Sequence, residues 1–188
     1  DPLLAGLTQE AARIIDPATA LNAITVGGLA RHEVSIQSKR FPQDAAHQPI
    51  ARADQPSPFT RSGPGPLGAV KPELVDYAGN WYVDTRAASG ALGNRRELGE
   101  LGASSSFAAG RMLALDSGTS CAAPKVANLA ARLLAEYPGA STDLLRALLV
   151  AHAELPSAAA ACFGDDKSAA LQVMGYGKPR PAPSRYSS

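Results

Sequence analysis

The segment at residues 112–137 restricts the fold of this chain more than any other. Residues 112–115 form an apolar run that is typical of a strand, and the motif GTSCAAP follows at residues 118–124. Apolar side chains then recur at helical spacing over residues 126–137, until the helix-stopping pair Pro138-Gly139. The pattern predicts a strand, a tight turn and a long helix, which together are a common unit of α/β proteins.

Further elements are predicted from similar patterns in the rest of the chain. The helices have an apolar face and a stop or cap signal: residues 3–15, ended by Asp16-Pro17, and a helix capped by Ser141 or Thr142. The strands are short apolar or alternating runs: residues 23–26, closed by Gly27-Gly28, a stretch within 32–36, and 81–83. The loops are stretches predicted to lack regular structure: residues 37–58, 85–106 and 155–168. Strands that alternate with helices favour an α/β fold with a mostly parallel sheet.

The composition of the chain argues against several classes of partner. Its 188 residues include 18 Lys and Arg against 17 Asp and Glu, so the net charge is +1. This balance disfavours nucleic-acid binding, because phosphate contacts need a surplus of basic residues. The two cysteines have no metal-ligand spacing, and no apolar run reaches membrane-spanning length. We therefore expect no metal, cofactor, nucleic acid or membrane partner.

Ser120 is the residue of the turn that is most suited to chemistry. Gly118 allows the chain to turn sharply, and Ser120 then falls in the first turn of the helix. There its hydroxyl lies beside unpaired backbone N–H groups, which stabilise a developing negative charge. The arrangement suits a serine nucleophile. The alternative is a helix cap, the commonest role of Ser or Thr before a periodic apolar run.

Four segments of the chain resemble the subtilisin-like serine proteases, the subtilases, in the order that this family shows. The string GTSCAAPKVANLAARLLAEYP (residues 118–138) is similar to the family's nucleophile motif, Gly-Thr-Ser-x-Ala-x-Pro followed by a helix. The other three are NAITVGG (22–28), SPFTRSGP with VKPEL (57–64 and 70–74), and GYG (175–177). The resemblance implies the C-terminal part of a three-layer α/β/α peptidase domain over residues 1–178, followed by a Pro- and Ser-rich tail or linker at 179–188.

The resemblance also implies the activity and the site. It makes the complete domain a serine endopeptidase acting on a peptide or protein substrate, with Ser120 as nucleophile and its own backbone N–H as an oxyanion donor. Gly118, Thr119 and Pro124 belong to the same motif and support Ser120. Residues Ile15, Asp16, Pro17 and Ala18 align with one wall of the family's primary specificity pocket.

The chain departs from the family pattern at several positions of the nucleophile helix. Lys125 stands where a His is common, Asn128 where Gly is usual, and Cys121 where Met is common. A thiol at a helix N-terminus can have a lowered pKa, but we interpret Cys121 as a small apolar residue.

Three catalytic elements of the family have no counterpart in this sequence, namely the Asp, the His and the oxyanion Asn. A serine hydroxyl is a weak nucleophile without an adjacent base. We therefore expect this chain, which begins at Asp1 rather than Met, to be inactive alone and to need an N-terminal half of the domain. The chain's histidines, His32, His47 and His152, are interpreted as surface or packing residues. The alternative function is a non-catalytic pseudo-protease or binding module that retains the fold.

Two further patterns are interpreted as structural. GPGPLG at residues 63–68 has the letters of a dinucleotide-binding loop, but no convincing helix follows it, so we expect a rigid loop. Arg95 and Arg96 are expected to be a solvated surface pair.

Overall fold

The computed structural model describes residues 2–33, 46–86, 91–93 and 98–180. The helices are α1 (Pro2–Leu7), α2 (Thr119–Glu136), α3 (Thr142–Ala151), α4 (Ser157–Phe163) and α5 (Lys167–Met174). The strands are β1 (Val26–Leu29), β2 (His47–Pro49), β3 (Leu74–Tyr77), β4 (Tyr82–Asp84), β5 (Ala91–Gly93), β6 (Glu100–Ala103), β7 (Leu113–Asp116), β8 (Ala153–Glu154) and β9 (Lys178–Pro179). Short 3₁₀ turns lie at Glu10–Ala12, Pro66–Gly68 and Phe107–Ala109.

The sheets of the described residues are small, and both parallel and antiparallel pairs occur. Strands β1 and β3 are parallel, with Val26 opposite Leu74. The other described pairs are antiparallel: β2 with β4, β4 with β5, β6 with β7, and β8 with β9. The predicted mixture of helices and strands is confirmed, but the prediction of a mostly parallel sheet holds only for β1 and β3. Short connections such as those between β4 and β5 or between β6 and β7 permit antiparallel pairing, whereas a parallel pair needs a long crossover.

The parallel pair lies between two groups of apolar side chains. Successive residues of a strand point to opposite faces of a sheet. Accordingly, Leu74 packs with Val126 of α2 and Leu149 of α3, whereas Val75 packs in a second cluster with α1, α4 and α5. Helices therefore cover both faces of β1 and β3, and this packing fixes where the end of β3 lies relative to α2.

The glycines at residues 27 and 28 lie inside β1 rather than closing it. A Cβ atom on Gly27 would come 2.9 Å from Oγ1 of Thr60, and one on Gly28 would come 2.9 Å from the Cβ of Ala78. The strand begins at Val26 and ends at Leu29, so the predicted strand at residues 23–26 was placed three residues too early. The glycines are needed because other segments of the same polypeptide pack closely against β1. The local sequence pattern does not distinguish this role of a Gly-Gly pair from its role in a turn.

Each of the three predicted loops contains regular structure. Strand β2 lies within residues 37–58, strands β5 and β6 within 85–106, and helix α4 with the start of α5 within 155–168. The signals for the helices are present: the Ala-rich α4 follows Pro156, and the carboxylate of Asp166 caps α5 by accepting from the backbone N–H of Ala169 at 2.9 Å. The three loop predictions were wrong because these short elements carry little hydrophobic periodicity, even where a cap or an Ala-rich composition indicates a helix.

The ends of the other predicted elements differ in detail. Helix α1 ends at Leu7 rather than near residue 15, because the backbone of residues 12–14 is hydrogen-bonded to Ser62 instead. Helix α2 ends at Glu136, just before Pro138-Gly139, and the Ser141 side chain caps α3 by accepting from the backbone N–H of Leu144, as predicted.

Several predictions fall wholly or partly outside the described residues. Pro179, the first residue of the predicted tail, pairs with Ala153, and Arg180 donates its N–H to the carbonyl of His152. The rest of that tail, residues 34–36 of the predicted strand, and the Arg95 and Arg96 pair lie outside the described residues.

Candidate active site

Ser120 is the second residue of helix α2 and is exposed to solvent. The helix begins at Thr119, and Gly118 occupies the N-cap position in an extended conformation. Ser120 is therefore not the residue that caps the helix. Its backbone N–H lies in the first helical turn, where N–H groups have no intrahelical acceptor. An exposed hydroxyl beside such donors can react at a carbonyl carbon while the donors stabilise the negative charge that develops on the oxygen.

The turn before Ser120 is fixed to a segment that consists of the last residue of strand β3 and the three residues that follow it. We call residues 77–80 the strand-end segment. The backbone N–H of Gly118 donates to the carbonyl of Ala78 at 2.8 Å, and the hydroxyl of Ser117 donates to the carbonyl of Asn80 at 3.2 Å. Gly79 has a φ of +89°, and a Cβ atom there would come 2.5 Å from Oγ of Ser117. A glycine at this position is what allows the turn to approach so closely.

Asn80 is fully buried and connects the strand-end segment to the backbone of residues 32 and 51. Its side-chain oxygen accepts from the N–H of Ala51 at 3.3 Å and from that of Trp81 at 2.9 Å. Its side-chain nitrogen donates to the carbonyls of His32 at 3.0 Å and Ala51 at 2.6 Å. Asn80 could not be recognised from the sequence, because a single Asn after a short strand carries no signal of burial.

Four residues around the start of α2 form a charge cluster, which we call the Glu100 cluster: Arg31, Tyr77, Glu100 and Lys125. The Glu100 carboxylate is buried and accepts from Nζ of Lys125 at 2.5 Å and from Nε of Arg31 at 3.0 Å. Burial by itself would raise the pKa of Glu100, but the hydrogen bonds from Lys125 and Arg31 outweigh it and lower that pKa below its ordinary value. The guanidinium of Arg31 also lies over the Tyr77 ring, 4.2 Å from its centroid.

The Tyr77 hydroxyl links the Glu100 cluster to the loop that follows β2. It donates to Oδ1 of Asp54 at 2.6 Å. Burial and this hydrogen bond, with the nearby Asp54 charge, raise the pKa of Tyr77 to about 12. Tyr77 therefore stays neutral, and its ring remains a stable surface for the Arg31 guanidinium.

Ser120 and the Glu100 cluster line one cleft of about 680 Å³. Its lining is formed by β3, β6, the start of α2 and β9: Arg31, Asp76, Tyr77, Glu100, Leu101, Gly102, Ser120, Cys121, Pro124, Lys125, Asn128, Leu129, Lys178 and Pro179. The cleft is thus large enough for several side chains of a bound polypeptide.

Cys121 follows Ser120 but is not an activated thiol. Burial and the nearby Asp116 carboxylate raise the pKa of Cys121, despite its position at a helix N-terminus. Its thiol points back to the carbonyl of Asp116, with a sulfur to oxygen distance of 3.8 Å. This agrees with its interpretation as a packing residue.

The residues predicted to form a specificity-pocket wall lie apart from the cleft. Ile15, Asp16 and Pro17 are exposed and belong to a turn in which the N–H of Ala18 donates to the carbonyl of Ile15. The carbonyl of Ala18 accepts from the Thr25 hydroxyl at 2.6 Å, just before β1. None of the four is among the residues that line the Ser120 cleft. Pro124 does line it, on the α2 side.

The chain's three histidines also lie away from the Ser120 cleft. His47 pairs with Asp84 at 3.4 Å and packs edge-on against Tyr82. Nδ1 of His152 lies 2.9 Å from the carbonyl of Leu148 in its own helix. The carbonyl of His32 accepts from Asn80. None of the three side chains is among those that line the cleft beside Ser120.

Two further findings concern the described residues as a whole. Among residues 2–33, 46–86, 91–93 and 98–180, no three His, Cys, Asp or Glu side chains come together as metal ligands. Within the same ranges, every helix is too short or too polar to cross a membrane.

Comparison with known proteins gives a family match and a curated relative. A family model described as "Subtilase family" matches residues 7–177. The chain is 39% identical over 164 residues to "Uncharacterized protein y4bN" of Sinorhizobium fredii (strain NBRC 101917 / NGR234). The match covers 87% of this chain but 36% of that relative, so the chain corresponds to about a third of the relative's length.

Proposed function

Because the chain belongs to the subtilase family, we propose that it carries the nucleophile of a serine endopeptidase, and that this nucleophile is Ser120. The observation that supports the proposal best is the position of Ser120. Its hydroxyl is exposed at the start of α2, in a turn fixed by hydrogen bonds to residues 78 and 80, and it borders a cleft. A nucleophile must be both accessible and held in place, and Ser120 meets both conditions.

In the proposed reaction, Oγ of Ser120 attacks the scissile carbonyl carbon of a peptide. Its proton passes to a histidine base, which returns it to the leaving amine as the C–N bond breaks. Water then hydrolyses the acyl-enzyme by the same route. The backbone N–H of Ser120 donates to the oxyanion, and Thr119 lies beside it in the first turn of α2. Gly118 and Pro124 shape the two sides of this turn.

The base in this proposal comes from outside the 188 residues. No histidine of the chain lines the Ser120 cleft, so the His, the Asp and the oxyanion Asn would be supplied by an N-terminal part of the same peptidase domain. That part would pack with residues 1–178, and together they would form the three-layer arrangement. Residues Ile15 to Ala18 do not line the Ser120 cleft of this chain, so their proposed role as a wall of the primary specificity pocket depends on the N-terminal part completing that pocket.

The test is covalent labelling of the full-length gene product that contains this chain. We expect a fluorophosphonate probe to label it on Ser120 and the Ser120→Ala variant to remain unlabelled. Ser157→Ala is the matched control, because Ser157 is an exposed serine in the first turn of another helix, α4. It should be labelled like the wild type.

The same experiment addresses the alternative function. A folded full-length protein that the probe does not label would refute the protease proposal. It would favour a binding module that keeps the fold without the chemistry.

A further inference from the structure

Lys125 occupies an unusual place for a lysine on the nucleophile helix. It stands where a histidine is common in the family, and only 31% of its side chain is exposed. Its ammonium donates to Oε2 of Glu100 at 2.5 Å and to the backbone carbonyl of Tyr77 at 2.7 Å. Lys125 thereby connects α2 to both β6 and the end of β3.

The partner of Lys125 is itself held firmly. The side chain of Glu100 is only 6% exposed and also accepts from Arg31. Removing Lys125 leaves the buried carboxylate of Glu100 with one cationic partner, Arg31, instead of two, and burial makes such a loss more costly than the loss of an exposed pair. The position of Glu100 on β6 is therefore tied to the presence of Lys125.

The two attachments of α2 lie on opposite sides of Ser120 and reach the same strand-end segment. Before Ser120, the N–H of Gly118 is bonded to the carbonyl of Ala78. After Ser120, Lys125 is bonded to the carbonyl of Tyr77. Lys125 lies five residues after Ser120, about 7.5 Å farther along the helix axis. The first two turns of α2 are thus attached, before and after Ser120, to consecutive carbonyls of one segment.

We propose that Lys125 and Glu100 act as positioning residues for Ser120, holding the first turn of α2 against β6 and the strand-end segment. This proposal rests on the proposed function of Ser120 as nucleophile. Lys125 does not serve as the base, because an ammonium that donates to Glu100 and to Tyr77 has no lone pair with which to accept the Ser120 proton. Its effect on the reaction is geometric: a small displacement of a nucleophile is enough to slow attack.

Lys125→Met in the full-length protein tests the proposal, because it removes the charge and keeps the length of the side chain. We expect the maximal rate of fluorophosphonate labelling, measured per folded molecule, to fall about 10- to 100-fold. The probe concentration at half-maximal rate should change less than about twofold, since the cleft keeps its shape. Lys125→Arg, which retains a donor to Glu100, should label within about threefold of the wild type.

Two further variants make the result specific. Lys167→Met makes the same chemical change at an exposed lysine of α5 and should label like the wild type. Adding Glu100→Gln to Lys125→Met should slow labelling no further than Lys125→Met does alone, because residues that act as a unit have non-additive effects. Unchanged labelling of Lys125→Met, or additive losses in the double variant, would overturn the proposal.

A second measurement separates this proposal from the proposed function. In Lys125→Met, the backbone amide of Gly118 should exchange its hydrogen at least about tenfold faster than in the wild type, because the turn is released. A wild-type protein that does not label would refute the protease function, yet hydrogen exchange would still decide whether Lys125 holds the turn. Unchanged exchange at Gly118 would refute the positioning role.

Discussion

Replacing Asn80 by Ala should loosen the strand-end segment, the part of the fold to which the Ser120 turn is attached. The Asn80 side chain is fully buried and makes four hydrogen bonds to the backbone of His32, Ala51 and Trp81. Alanine removes all four and leaves two backbone N–H groups and two carbonyls without these partners. The backbone carbonyl of residue 80, which accepts from the Ser117 hydroxyl, is retained in the variant. The substitution can therefore affect the Ser120 turn only by displacing the strand-end segment.

The size of the effect follows from the bonds that are lost. A typical intramolecular hydrogen bond contributes about 1 kcal/mol net, and more when its loss leaves a buried group unpaired. One of the four hydrogen bonds is long, with 3.3 Å between the backbone nitrogen of Ala51 and Oδ1 of Asn80, so we count it as weak. The remaining three give about 3 kcal/mol of local stability. A loss of about 3 kcal/mol corresponds to a roughly 100-fold larger open population.

Hydrogen exchange measured by mass spectrometry on the full-length protein resolves this change by segment. In Asn80→Ala, the amides of Ala51 and Trp81 should exchange roughly 100-fold faster than in the wild type, while α3 should be unaffected. Asn22→Ala is the matched control, because Asn22 is exposed in the turn before β1. Exchange of residues 51 and 81 within about threefold of the wild type would show that Asn80 does not hold this segment.

Three other predictions follow from the same region and from the exposed surface. The pKa of Glu100 is lowered by folding, so its contribution to stability is present above its unfolded pKa of about 4.3 and is lost as the pH falls below that value. In Glu100→Gln, the free energy of unfolding should therefore depend less steeply on pH in this acid range. The raised pKa of Tyr77 has the opposite sign: its contribution is complete below pH 10 and is lost toward pH 12, and Asp54→Asn should shift the absorbance titration of Tyr77 to lower pH. This chain alone should bind a hydrophobic dye and melt without a sharp transition, because Phe107, Met112 and other apolar side chains are exposed, and a sharp monomeric melt would contradict that.

The strand–turn–helix unit and the caps could be predicted from the sequence because their signals are local. The apolar spacing of α2, the stop at Pro138-Gly139 and the Ser141 cap each depend on neighbours within one or two helical turns. The position of Ser120 at the start of α2 follows from the same local pattern. The short strands β2, β5 and β6 could not be found in this way, since their stability comes from partners elsewhere in the chain.

The residues that surround Ser120 could not be identified from the sequence for a related reason. Glu100 fell in a stretch predicted to be a loop, and its partners Arg31 and Lys125 lie 69 and 25 residues away. Asn80 is recognisable only by its burial and its bonds to residues 32 and 51. A polar residue carries no mark of a distant partner, so the Glu100 cluster emerges only when the packing of β3, β6 and α2 is known.

The end of β3 explains why the candidate site lies where it does. A strand that ends leaves carbonyl groups without a neighbouring strand, and a buried carbonyl needs a donor. Here the carbonyls of residues 77, 78 and 80 accept from Lys125, Gly118 and Ser117, so the donors come from the α2 helix and the turn that precedes it. In open α/β sheets, functional groups gather in the crevice beyond the carboxyl ends of parallel strands. The chain therefore holds Ser120 through backbone acceptors at a strand end. These bonds define the position of Ser120 before any proton-accepting partner, which the proposed reaction requires, is added.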